Sequence, residues 1–261
     1  MASSMRPTVI IGNWKMYKTI TDARAFISSL SLLGISDTLQ IGVAVPYTLI
    51  ITAAKAARGS AIAIGAQNVS EHIEGAFTGE VSTIMLKDAG ASFVIVGHSE
   101  RRRHFHEDDN LINKKALRAA NDGLRAVECI GESLEQRQSG KTNVVLSEQL
   151  LSCLKDFTPA LLENVVVAYE PVWAIGTNQS ASPEQAQEAH AFIRGIVQRE
   201  WGADVAQKLV IQYGGSVRPD NSGALLQQQD VDGLLIGGAA LSLESFTKII
   251  QSHKIELNIN S

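Results

Sequence analysis

Short apolar runs rich in β-branched residues recur along the 261-residue chain, each followed by a longer amphipathic stretch. The runs cover residues 8–14, 40–46, 62–67, 93–97, 125–131, 165–170, 209–213 and 232–237. They are continuously apolar, without in-and-out alternation, as strands of a parallel sheet buried on both faces must be. The intervening stretches read as helices. One spans 183–200, with Ser182 as N-cap and Pro183 at the first helical position. Another spans 23–33, preceded by Thr21 and Asp22. Eight strands, each followed by a helix, predict an α/β fold: a (β/α)8 barrel of eight parallel strands ringed by helices. An open, doubly wound sheet is the rival, but such a sheet concentrates its special residues where the strand order reverses. Here glycine and polar residues end nearly every run: Gly12-Asn13, Gln67-Asn68, Gly97-His98, Gly131-Glu132, Glu170, Gly214-Gly215 and Gly237-Gly238. That ring of special residues favours the closed barrel.

No linker or shift in composition divides the chain, so residues 1–261 are expected to form a single domain, with 1–6 a frayed leader or a cloning remnant. A net charge of −4 with no basic stripe argues against nucleic acid as a partner. It also means that an anionic substrate must be held by local positive groups. Two cysteines, Cys129 and Cys153, are too few for a disulfide framework and suit a reducing compartment. No apolar run reaches the ~18 residues that span a bilayer. A cytoplasmic protein with no membrane partner is expected.

Four segments could carry chemistry. Glu170 closes the sixth run, at the face where barrel active sites form, and Pro171 biases it towards extended geometry. The apolar stretch that follows has neither helical nor strand period, which suits a lid that expels water; the alternative is a helix-capping carboxylate and an ordinary loop. His98 follows the fourth run and stands at the start of a short helical turn, whose dipole disfavours an imidazolium. A neutral ring there can donate to a carbonyl oxygen; the alternative is a satisfied polar residue at the rim. Glu100, in the same turn, is placed to pair with a lysine or to stabilise the helix end alone. Lys15 lies just past a buried strand, a costly position unless a carboxylate or an anionic ligand meets it or its head snorkels to water. The pairs Gly214-Gly215 and Gly237-Gly238, one βα unit apart, let backbone amides converge on a phosphate, or make tight turns only. His104 and His106 sit in a charged stretch that reads as solvated surface, so no metal site is expected.

Together these segments resemble triosephosphate isomerase over essentially the whole chain. The matching strings are Gly-Asn-Trp-Lys-Met (12–16), Gly-Ala-Phe-Thr-Gly-Glu (75–80), Val-Gly-His-Ser-Glu-Arg-Arg (96–102), Cys-Ile-Gly-Glu (129–132), Ala-Tyr-Glu-Pro-Val-Trp-Ala-Ile-Gly-Thr (168–177), Tyr-Gly-Gly-Ser-Val (213–217) and Leu-Ile-Gly-Gly-Ala (235–239). The resemblance implies a TIM barrel that interconverts dihydroxyacetone phosphate and glyceraldehyde 3-phosphate by proton transfer through an enediolate, without cofactor or metal. It implies Glu170 as base, His98, Lys15 and Asn13 as stabilisers of the enediolate, and Glu100 as the carboxylate that pairs with the lysine. It implies phosphate on the amides of Gly176, Ser216, Gly237 and Gly238. It also implies a homodimer in which the loop carrying Gly75, Phe77 and Thr78 enters the neighbouring subunit; the loop's length and apolar tip agree with this. Other phosphate-binding barrel enzymes would share the glycine pairs without needing Glu170, His98 and Lys15 together. A non-catalytic barrel would be expected to have lost one of these groups.

Three features depart from the family's pattern. Asn178 stands where the lid usually has glycine, and Gln179-Ser180-Ala181 alters the usual hinge; both bear on the lid's motion. Glu128 occupies a position that is usually apolar, on the strand face opposite Cys129, and is expected to have an Arg or Lys partner. Cys129 itself reads as a small core residue.

Overall fold

The computed structural model describes residues 6–34, 38–175 and 180–253. Eight parallel strands, β1 (Thr8–Asn13), β2 (Leu39–Val45), β3 (Ile62–Ala66), β4 (Phe93–Val96), β5 (Arg125–Ile130), β6 (Val165–Tyr169), β7 (Val210–Tyr213) and β8 (Gly233–Ile236), follow one another round a closed barrel. Closure comes from β8 pairing with β1, Ile10 opposite Leu234, which leaves no free sheet edge. The helices α1 (Ile20–Leu30), α2 (Ile50–Ala56), α3 (Thr83–Asp88), α4 (Ser99–Phe105), α5 (Asp109–Asn121), α6 (Leu134–Gln138), α7 (Thr142–Cys153), α8 (Pro159–Leu162), α9 (Pro183–Trp201), α10 (Ala203–Lys208), α11 (Ser222–Leu226) and α12 (Leu243–Ser252) ring it. This is the (β/α)8 TIM barrel expected from the chain's periodicity.

Burial on both strand faces explains why the runs lack alternation. Val9, Ile11, Phe93, Ile95, Val127 and Val166 fill the barrel's interior. Their neighbours Ile10, Val94, Ala126 and Val167 pack outward against the helices. The inner layer leaves no slack: a Cβ on Gly65 would overlap the Phe93 ring.

Helix starts follow their caps. α9 opens as expected, with Pro183 in its first turn and a capping box in which Ser182 and Gln185 satisfy each other's backbone N–H. It runs one residue further than expected, to Trp201. The first helix differs from the reading over 23–33 and occupies Ile20–Leu30. Its N-cap is Thr19, whose hydroxyl accepts from the Asp22 amide while the Asp22 carboxylate accepts from Thr19 N–H at 2.9 Å. Asp22 is therefore the third helical residue, and exposed Ile20, which breaks the apolar stripe, lies inside the helix.

Glu128 also departs from expectation. Its side chain is fully buried on the helix-facing side of β5, and neither carboxylate oxygen has a hydrogen-bond partner. Burial pushes its carboxyl up to about 8, although Cys153 and Arg102 lie close enough to pull it down and Asp109 opposes them. The expected arginine is thus nearby but committed elsewhere: Arg102 donates to the Gly97 and Cys129 carbonyls and to Asp109. Cys129 is a buried interior residue, and burial raises its thiol.

Candidate active site

The strands' C-terminal ends surround a cavity of about 360 Å³ whose lining includes Asn13, Lys15, His98, Glu170, Ser216 and Gly237. A larger cavity, about 430 Å³, opens at the opposite end beside Pro7, Arg125 and Lys208, but it gathers neither a histidine nor a glycine. The chemistry-bearing residues lie at the first.

His98 is the N-cap of α4. Its Nδ1 accepts the Glu100 backbone N–H at 3.2 Å, so this nitrogen carries no proton and the ring is neutral with its proton on Nε2. Nε2 lies 3.1 Å from Glu170 Oε1. Both side chains are almost completely buried. The other oxygen, Oε2, accepts the Ser99 backbone N–H at 3.0 Å, so the first turn of α4 holds the Glu170 carboxylate. Glu170 follows β6 directly, and its backbone N–H donates to Ile130 O at 2.7 Å. Gly131 makes room for it: a Cβ there would overlap the Glu170 carbonyl oxygen.

Lys15 lies two residues past β1 with φ of 52°, a left-handed geometry uncommon outside glycine. The Asn13 side chain supports this turn by accepting Lys15 N–H at 3.0 Å, and Gln67 donates to Lys15 O at 2.9 Å. The ammonium meets Glu100 Oε1 at 2.5 Å. Burial alone would raise the Glu100 carboxyl, but the Lys15 hydrogen bond and the Lys15 charge hold it below the usual range. Lys15, Glu100, His98 and Glu170 therefore form one continuous chain of polar contacts.

The lysine stem also passes Gly237, where an added Cβ would stand 3.3 Å from Lys15 Cε. Gly238 faces open space, and Ser216, Gly237 and Gly238 share the cavity with Lys15. Gly176, Asn178 and Gln179 lie outside the described residues. Of the apolar stretch after Glu170, Val172–Ala174 forms a short 3-10 turn with Ala174 fully buried. Gly75, Phe77 and Thr78 are away from the cavity, exposed, with the Phe77 ring stacked on His72 at 3.8 Å. His104 and His106 are exposed as expected. Among the described residues no group of three His, Cys, Asp or Glu side chains is arranged to hold a metal ion, and no helix is long and apolar enough to cross a membrane.

One supporting residue was not singled out in the sequence. Glu132, fully buried, accepts from Trp173 Nε1 at 2.9 Å, Tyr169 OH at 3.1 Å and Arg137 Nη1 at 3.2 Å through one oxygen. It carried no signal beyond its place in the ring of polar strand ends.

A carboxylate facing a neutral imidazole, with an ammonium and a glycine-lined recess beside them, defines a barrel isomerase that works by moving protons. A family sequence model described as triosephosphate isomerase matches residues 8–253. A triosephosphate isomerase of Protochlamydia amoebophila is 49% identical over 250 residues, covering 96% of this chain and 95% of the relative. Those of Fusobacterium nucleatum and Carboxydothermus hydrogenoformans are each 47% identical over 249 residues, covering 95% of this chain and 99% of the relatives. The chain belongs to the triosephosphate isomerase family.

Proposed function

We propose that this enzyme interconverts dihydroxyacetone phosphate and glyceraldehyde 3-phosphate, with Glu170 as the carrier of the carbon-bound proton. Glu170 removes a proton from the carbon beside the carbonyl and returns it to the neighbouring carbon, while the hydroxyl proton passes to the former carbonyl oxygen, relayed by His98 Nε2. His98, its proton on Nε2, donates to the oxygen that gains charge in the enediolate, and Lys15 and Asn13 add positive potential at the same edge. Donors already fixed where charge develops commonly supply most of the rate enhancement in such catalysis. Glu100 orients Lys15. The substrate phosphate rests on the amides of Gly176, Ser216, Gly237 and Gly238, near the Lys15 stem. Closure of the 171–181 segment shields the bound substrate from water and keeps the enediolate from expelling phosphate. These steps use a carboxylate, an imidazole and an ammonium, and call for no cofactor or metal.

The observation that carries the reading is the 3.1 Å approach of His98 Nε2 to Glu170 Oε1 within the cavity. We read the chain as one domain over 1–261, at work in the cytoplasm as a homodimer. Met16, Tyr17, Phe77, Ile84, Met85 and Phe105, which follow β1, β3 and β4, are all exposed, and a second copy covering them would support this reading. A coupled assay with glyceraldehyde 3-phosphate tests the function. Wild type should isomerise it, and Glu170→Asp, whose carboxylate is withdrawn by one methylene, should be slower by roughly 10²-fold. Inactive wild type would overturn the reading.

A further inference from the structure

We propose that His190 is a positioning residue for the isomerisation: its ring braces Tyr169 and Tyr213, the two side chains that tie down the flanks of the 171–181 segment. The inference rests on the reading that this segment shields the substrate.

The near flank is held by Glu132. Its Oε1 accepts from Trp173 Nε1 and from Tyr169 OH, so Tyr169 shares the anchor that fixes the tryptophan. The far flank is held by Tyr213, whose hydroxyl accepts Ala181 N–H at 3.2 Å. Tyr169 ends β6 and Tyr213 ends β7, with ring centroids 6.4 Å apart. His190 touches both. It stands edge-on to Tyr169 at 5.9 Å and 88°, and tilted against Tyr213 at 6.5 Å and 34°. All three rings are almost wholly buried. Aromatic pairs of this geometry are favourable beyond the area they bury.

A simple space-filler would be apolar. His190 instead carries two nitrogens into the core. Nδ1–H donates to Asp230 O at 3.1 Å, while Nε2 is buried without a partner. An unsatisfied nitrogen costs stability, whereas the Asp230 bond fixes the plane of the ring, which a phenyl group could not achieve. The ring stays uncharged at working pH: burial pushes it down to about 4, with Arg194 adding to the effect and Asp230 opposing it. His190 belongs to α9, which starts two residues after Ala181. A fixed imidazole therefore links the helix that follows the segment to the anchors on both sides of it. His190 does not line the cavity and acts through the tyrosines.

The test uses His190→Phe, which keeps a ring but loses the Asp230 bond, and His190→Asn, which keeps a donor but loses the ring. Isomerase kcat and KM, inorganic phosphate released per turnover and thermal midpoints are measured on each. Folded variants should lose about tenfold in kcat and release roughly tenfold more phosphate per turnover, because a loosened cover lets the enediolate eliminate. Phosphate release at the wild-type ratio in folded variants would overturn the proposal. If neither variant folds, wild-type enzyme decides: the His190 ring ¹⁵N signals should shift when 2-phosphoglycolate, a phosphate carrying a carboxylate in place of the enediolate, is bound. Unmoved signals would overturn it. Wild type that neither isomerises nor binds this probe would instead overturn the reading of the active site.

Discussion

His98 and Glu170 meet directly, with the imidazole Nε2 3.1 Å from a carboxylate oxygen of a residue only 2% exposed. Each is oriented by the same turn of backbone: the Glu100 amide fixes the ring, and the Ser99 amide fixes the carboxylate. One short helix, α4, thus sets both the tautomer of the donor and the resting place of the base. Replacing His98 by alanine removes the donor and leaves the base. Turnover should fall by roughly 10²–10³, with a smaller change in KM, because the lost interaction is strongest when charge has developed. Steady-state kinetics check this; a rise in KM alone would assign His98 to substrate binding.

Gly131 offers a test that touches no reacting group. A Cβ at this position would overlap the Glu170 carbonyl oxygen, so Gly131→Ala must displace the backbone on which the base is mounted. The variant should lose about 10²-fold in kcat/KM, as misplacements near 1 Å do. It should also lose about 1–3 kcal/mol of stability through overpacking. Wild-type activity with a lowered thermal midpoint would separate packing from positioning.

Glu128 should make stability depend on pH. Its folded carboxyl is raised to about 8 from an ordinary 4.5, so the folded chain holds this proton where the unfolded chain releases it. The stability that protonated Glu128 contributes is full below the ordinary value and declines as pH rises towards 8. Between about pH 6 and pH 8.5, wild type should lose roughly 2–3 kcal/mol that Glu128→Gln does not lose. Urea unfolding at fixed protein concentration measures the difference. Parallel curves for the two proteins would mean that Glu128 is ionised and stabilised in the fold.

Much of the fold was legible because every strand is buried twice, which writes each as an unbroken apolar run bounded by glycine or polar residues. Each reacting group was legible for a related reason: Lys15, His98 and Glu170 all sit where such a run ends. Other features depend on contacts between segments far apart in sequence. The start of α1 is the exception: its capping box of Thr19 and Asp22 is local, but exposed Ile20 interrupts the apolar stripe and hides it. Arg102 could serve Glu128, but two strand-end carbonyls and Asp109 engage it first. Glu132, His190, Tyr169 and Tyr213 acquire their relationship only when β5, β6, β7 and α9 come together, and no local pattern announces it.

Phe77 carries the prediction about assembly. Its exposed ring is stacked on His72 rather than buried within its own chain. Phe77→Asp should weaken the homodimer and lower activity together, since a charge at the centre of an apolar contact is costly to desolvate. Sedimentation velocity alongside the coupled assay checks both. A stable, fully active monomer would contradict the reading.

The most direct measurement follows hydrogen itself. In deuterium oxide, wild-type enzyme converting dihydroxyacetone phosphate should place deuterium on the carbon that receives the proton. Glu170→Gln should lose isomerisation and deuterium incorporation together, each by about 10³-fold or more, since no other side chain is assigned the transfer. Retention of either process within tenfold of wild type would contradict the assignment of Glu170 as the group that carries the proton.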